Sequence, residues 1–319
     1  MSQTASAGLP PGPRLPKSIQ AWLLLRHGLG FVTACRRRYG KVFTLRVASV
    51  GTLVYLGDPA DIKTVFAGDP KIFHAGEANS MLSGMLGESS VLVIDEDMHR
   101  DRRRLMVAPF HRDAVAQQAD VIAEITAANI ASWPVGTTFP VAPKMNEITL
   151  EVILRTVIGA SDPARLAALR AVMPRLLNVG PWETLAIAKP KLQNRRPWRR
   201  LRRNIEEANR LLYAEIADHR ADPKLADRTD VLAMLIRAAG EDGRSMTDVE
   251  LRDQLMTLLA AGHDTTATGL AWTLERLTRN PRVLDKAVKG ERATDTIVKV
   301  VEASLTLYAA TGLFFAVVI

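Results

Sequence analysis

The sequence predicts a mainly α fold with a small N-terminal β element. Three observations lead there. Helical spacing of apolar residues dominates after residue 58, while β-branched and aromatic residues gather only around residues 41 to 56. No internal repeat or long flexible linker divides the 319 residues, and 47% of them are hydrophobic, enough for a sizeable core.

In chain order, residues 1 to 8 are small and polar and read as a mobile N-terminus. The stretch from Leu9 to Pro16 holds four prolines, which remove donors and fix φ, so it reads as a stiff extended lead-in. A helical pattern runs from Ser18 to Tyr39 and stops at Gly40. Lys41 to Val47 and Thr52 to Leu56, around Gly51, predict a hairpin. Asp58-Pro59 reads as a cap followed by proline in the first turn, starting a short helix that ends near Gly68. Further helices are expected over roughly 96–132, 145–159, 163–178, 198–221, 228–239 and 248–279, with loops over 70–95 and 175–195.

The formal charge of +8 is concentrated in arginines at Arg36 to Arg38, Arg100 to Arg104 and Arg195 to Arg203. These fall on helical segments without aromatic interleaving or a nucleic-acid motif, so no nucleic-acid partner is expected. The Arg195 to Arg203 run with Trp198 reads as the wet start of a helix, with a membrane-surface contact as the minor reading. Cys35 is the single cysteine. That excludes a disulfide framework and a Cys-rich metal site within one chain and points to a cytoplasmic setting. No apolar run of signal-peptide length opens the chain.

The segment from 248 to 279 is the most informative. Thr247-Asp248-Val249-Glu250 is a capping box, and Asn280-Pro281 marks the end. About 32 residues at ~1.5 Å each span roughly 48 Å, enough to cross a domain. In its middle, Ala261-Gly262-His263-Asp264-Thr265-Thr266 breaks local rules. A mid-helix glycine costs about 1 kcal/mol against alanine, and a buried carboxylate needs a partner. Thr265 can bond back to the carbonyl of Ala261. Periodicity alone leaves open that His263 and Asp264 simply face water while Gly262 permits close packing.

This stretch, with Leu258-Leu259-Ala260 before it and Leu270-Ala271-Trp272 after it, resembles the central helix of the cytochrome P-450 family. The family pattern there is Ala/Gly-Gly-x-Asp/Glu-Thr-Thr/Ser. The resemblance implies that Ala261 and Gly262 line an oxygen groove on the distal side of a heme. It makes Asp264 and Thr265 the acid–alcohol pair that relays protons, because splitting the O–O bond heterolytically needs protons without flooding the pocket. His99-Arg100-Asp101-Arg102-Arg103-Arg104, ending in Pro109-Phe110, resembles the family's Trp/His-x-x-x-Arg helix. His99 and Arg103 share a helix face and by resemblance bind the heme propionates. Arg100 and Arg104 form a second same-face pair, consistent with a basic surface for an acidic electron donor.

The similarity covers about residues 9 to 288, read as a partial P-450 domain and an incomplete cytochrome P-450 fold. Residues 289 to 319 read as a divergent apolar tail. No Phe-x-x-Gly-x-x-x-Cys-x-Gly pattern occurs, so no metal ligand is assigned, and Cys35 reads as a small packing residue. In the tail, Ala303 and Thr306 stand where the family has its Glu-x-x-Arg pair. Residues 303 to 319 carry no charge and read as a segment of a larger core rather than a membrane span. The family implies heme b with its iron, dioxygen-dependent oxidation of a small apolar organic substrate, and a ferredoxin/ferredoxin reductase-type donor. Lacking the iron-ligand cysteine, the chain by itself is expected to be inactive and not to hold heme as the family does. The other class considered is a non-catalytic helical interaction or membrane-associated protein; membrane contact is not expected for the first.

Overall fold

Gln20 organises the N-terminal end of the chain in the computed structural model, which describes residues 8–290 apart from 49, 179, 241 and 242. The side chain is wholly buried on α1 (Lys17–His27). Its amide donates to the carbonyls of Pro13 and Leu15 at 3.1 and 2.8 Å, and its oxygen accepts the Arg46 N–H at 2.9 Å. A buried amide must place both ends, so this one side chain ties the lead-in to the hairpin. The lead-in runs beside β1 (Val42–Val47): Thr44 donates its N–H to Pro11 and its hydroxyl to Pro10, at 3.0 and 2.8 Å. Gly12 is required there, since a Cβ would lie 1.9 Å from the Thr44 carbonyl oxygen.

β1 pairs antiparallel with β2 (Gly51–Leu56), Val42 opposite Leu56. Phe43, Leu45 and Val47 point inward, alternating with partner-facing or wet positions, and pack with Cys35 of α2 (Leu29–Tyr39). The single helix expected over 18–39 is two helices, because Gly28 takes φ 42° and breaks the ladder. α3 (Pro59–Phe66) begins as the Asp-Pro pair predicts, with the Asp58 carboxylate accepting the Ala60 N–H at 3.0 Å. The residues up to His74 form one compact unit.

Those from Ala75 onward form a second unit, almost wholly helical. Two short helices, α4 (Ala75–Asn79) and α5 (Ser83–Leu86), lie where a loop was expected. The helix expected over 96–132 is three: α6 (Glu96–Val107), α7 (Arg112–Ala116) and α8 (Ala119–Ala131). Pro109, in a tight turn over Ala108–Phe110, cannot continue the ladder of α6. α9 (Val141–Val152) ends in a π turn over Ile153–Val157. Then follow α10 (Pro163–Leu177), α11 (Pro181–Ala188), α12 (Arg199–Ala221), α13 (Val231–Arg237), α14 (Asp248–Arg279) and α15 (Pro281–Gly290). α11 falls in the second expected loop and was invisible to periodicity because it is only two turns long.

α14 is the axis of this unit and packs against α9, α12, α13 and α5. Its first half buries Leu251, Leu255, Met256 and Leu259 with Leu212 and Ile216 of α12 and Leu232 of α13. Its second half buries Ala267 and Leu270 against Ile122 and Ile125 of α8 and Met145 and Ile148 of α9. No helix among the described residues is long and apolar enough to cross a membrane. The apolar segment 303–319, with Ala303 and Thr306, and residues 1–7 lie outside the described residues.

Candidate functional site

The start of α14 is built from side chains that satisfy its free N–H groups. Thr247 accepts the Glu250 N–H at 3.3 Å, and the Glu250 carboxylate accepts the Thr247 N–H at 2.8 Å. The same carboxylate pairs with Arg102 of α6, and these partners hold it below the usual carboxylate range against the opposing effect of burial.

One turn further in, the helix buries three consecutive polar residues, which the sequence reading did not single out. Arg252 donates to the carbonyls of Leu86 and Met85 at 3.1 and 3.2 Å and to Asp253 at 2.8 Å. Asp253 accepts the Ser89 N–H at 2.9 Å. Gln254 accepts the Val91 N–H at 3.0 Å and donates to the Ser89 carbonyl at 2.6 Å. Together they clamp the end of α5 and the loop after it onto α14, meeting the Met85, Leu86 and Ser89 carbonyls and the Ser89 and Val91 N–H groups. Gly87 in that loop has φ 98°, and a Cβ there would sit 2.0 Å from Asp253 Oδ1. A run of Arg-Asp-Gln inside an otherwise apolar helix face, facing a Gly-Glu-Ser-Ser loop, was the available signal.

The segment singled out by sequence lies beyond the clamp. Thr265 Oγ donates to the Ala261 carbonyl at 2.7 Å, the back-bond expected of it, and the hydroxyl is exposed. Gly262 is buried and lines a small cavity of about 80 Å³ with Phe110, Val115, Ile122, Val157 and Leu258. Ala261 is half-buried. Asp264 faces water, as periodicity left open: its side chain is 46% exposed, on the open face of the helix with Thr265, Thr268 and Gly269. A Cβ added at Gly269 would meet nothing within 4 Å.

His263, by contrast, is 3% exposed, and its Nδ1 lies 3.0 Å from the Thr149 hydroxyl of α9. Its Nε2 is 3.6 Å from Asp264 Oδ1, near for a charge but long for a hydrogen bond. Burial pushes the imidazole below its ordinary range, and the Asp264 carboxylate opposes that shift. The neighbouring Thr266 hydroxyl is buried without a hydrogen-bond partner among the described residues.

His99 and Arg103 sit one turn apart on α6, both half-buried. Desolvation first, then the Arg103 guanidinium, lowers the His99 pKa, with Asp95 pulling the other way, so the two cationic groups are close enough to feel each other. Arg100 and Arg104 are exposed, and Arg100 pairs with Asp97. α6 meets α14 through Arg102 at Glu250, and from there to Ala261 is eleven residues, roughly 16 Å of helix.

The sequence profile described as Cytochrome P450 matches residues 10–292. Cytochrome P450 135B1 of Mycobacterium tuberculosis (strain H37Rv) is 74% identical over 294 residues, covering 92% of this chain and 62% of that one. Cytochrome P450 135A1 of the same strain is 41% identical over 289 residues, covering 90% of this chain and 64% of that one. The chain thus spans less than two thirds of the length of these curated relatives. Among solved structures, a retinoic acid bound cyanobacterial CYP120A1 aligns with TM-score 0.73 at 17% identity, over 92% of this chain and 66% of that one. At that identity the likeness speaks for the fold alone.

Proposed function

The chain belongs to the cytochrome P450 family, and from that premise we propose that its residues form the distal and propionate-binding side of a heme monooxygenase. The observation that carries the reading is the open face of α14, where Ala261, Asp264, Thr265, Thr268 and Gly269 present nothing larger than a threonine or a carboxylate. A flat macrocycle can approach such a face closely. The donor chemistry also fits. His99 and Arg103 are neighbouring hydrogen-bond donors at the protein surface, suited to a pair of carboxylates, with guanidinium giving the stronger, charge-assisted bonds.

When bound, heme supplies the redox chemistry that activates dioxygen toward a small apolar organic substrate, with electrons from a ferredoxin-type donor. The chain's own part is protonic. Asp264, being half-exposed, can exchange protons with water. Thr265 has its proton committed to the Ala261 carbonyl, which leaves its oxygen lone pairs to accept a hydrogen bond from a water. Thr265 would hold that water in place while the proton itself comes from Asp264 through the water. Cys35 does not suit the sulfur ligand of the family. It is buried with Phe43, Leu45 and Val47, and burial raises its thiol pKa, disfavouring the thiolate. The family match favours this enzymatic reading over a non-catalytic helical protein.

Titrating the purified chain with hemin, followed by its Soret absorbance, tests the cofactor assignment. His99→Ala with Arg103→Ala should weaken binding by about tenfold or more, since each charged hydrogen bond contributes ~1.5–3 kcal/mol. Unchanged affinity would remove both residues from the heme site. The reduced carbon-monoxide complex of this chain should lack the thiolate-type band, and an intense one would show that Cys35 ligates iron.

A further inference from the structure

Eight cations crowd fifteen residues between α11 and the first turns of α12: Lys189, Lys191, Arg195, Arg196, Arg199, Arg200, Arg202 and Arg203. All eight are exposed, and no acidic residue occurs from Thr184 to Ile205. Only Arg202 has an ion pair among the described residues, with Glu206 at 3.4 Å. The fold explains why the four arginines on α12 face water. α12 buries Leu201, Ile205, Ala208 and Leu212 in one stripe, so the residues between them face water. The positive end of the helix dipole points the same way, adding to the field.

We propose that this patch docks the protein reversibly on an anionic phospholipid surface. Six of the eight cations are arginines, whose planar fork grips phosphate better than an ammonium does. What separates a lipid surface from a protein partner is the lack of an apolar centre. Protein interfaces close over a desolvated hydrophobic core. Here Trp198 and Leu192 are turned into the protein core, and no large hydrophobic among the described residues is well exposed between Val135 and Tyr213. Headgroup attraction needs charge alone, so a purely cationic surface suits a bilayer. Single- or double-stranded nucleic acid would add stacking aromatics or a groove-reading helix, and the patch has neither. The contact is peripheral, and it takes up the membrane-surface contact that the sequence left as the minor reading of the Arg195 to Arg203 run. It stands independently of the heme assignment.

The test is flotation of the full chain with vesicles of phosphatidylglycerol mixed equally with phosphatidylcholine, against phosphatidylcholine alone. Binding is expected to the first only at about 0.05 M salt and should be lost at about 0.5 M, where screening is severe. Replacing Arg195, Arg196, Arg199 and Arg200 by Gln should weaken it about fivefold per arginine, and replacing them by Lys should largely preserve it. A control variant removes the same charge elsewhere, with Gln at Arg36, Arg37, Arg38 and Arg112, and should bind vesicles nearly as the parent does. Circular dichroism verifies that each variant is folded. The proposal is overturned by absence of binding at low salt, by binding indifferent to lipid charge, or by equal loss in the control variant. Nucleic acid bound through the same arginines, with vesicles left unbound, would overturn it too.

Discussion

At the residue scale, buried titratable groups give this protein a pH-dependent stability whose sign can be worked out. His263 and His99 have folded pKa values below 6.5, so the unfolded chain binds more protons than the native one as pH falls through that value. Stability should therefore be at its plateau above about pH 7 and decline as the pH drops below 6.5 toward the folded pKa values. Asp230 and Glu250, held low by His219 with the Ala233 N–H and by Thr247 with Arg102, add a second decline below about pH 4.5. Urea midpoints measured across pH 3.5 to 8 would trace both steps. His263→Gln should flatten the first, and an unaltered upper step would mean that His263 is not desolvated in solution. Sequence inspection had singled out His263 only as a neighbour of the motif. Which way it turned depended on Thr149, 114 residues earlier, a partner no local pattern announces.

At the scale of elements, α14 came through from sequence with its bounds intact, because it carries its own start and stop: the Thr247–Glu250 box and Asn280-Pro281. What was not legible was the clamp its first turns make on the loop after α5. Arg252, Asp253 and Gln254 look like surface residues until the loop's carbonyls and N–H groups are laid against them. Removing the arginine leaves Asp253 buried beside it without its cation. Arg252→Ala should lower stability by about 3–5 kcal/mol, the range for breaking a buried ion pair. Hydrogen exchange is the sharper readout: the Ser89 and Val91 amides, both donating to α14 side chains, should lose protection first. If they exchange no faster than in the parent, the clamp is not what orders that loop. The helix boundaries that misled did so for local reasons of the same kind, a left-handed Gly28 dividing α1 from α2 and Pro109 ending α6.

For the whole molecule, the two units have separate cores, and a substitution in one should be read out in that one. Leu255 is wholly buried in the larger core. Leu255→Ala should cost about 2–5 kcal/mol by lost burial and cavity formation. The amides of β1 and β2 in the N-terminal unit should keep their exchange rates at denaturant concentrations where those of α9 and α14 speed up. Equal acceleration in both would mean that the two unfold as one cooperative body.

The sequence by itself determined the fold class, the position of the long helix and the family, since these rest on periodicity, caps and short motifs within a few residues of each other. It also contained every residue of the proposed site. Only the tertiary structure decided which of them are wet and which are dry: Asp264 on the open face, His263 turned into α9, His99 and Arg103 half-buried on α6. Burial is a property of what packs opposite, and the packing partners here lie a hundred or more residues away in the chain.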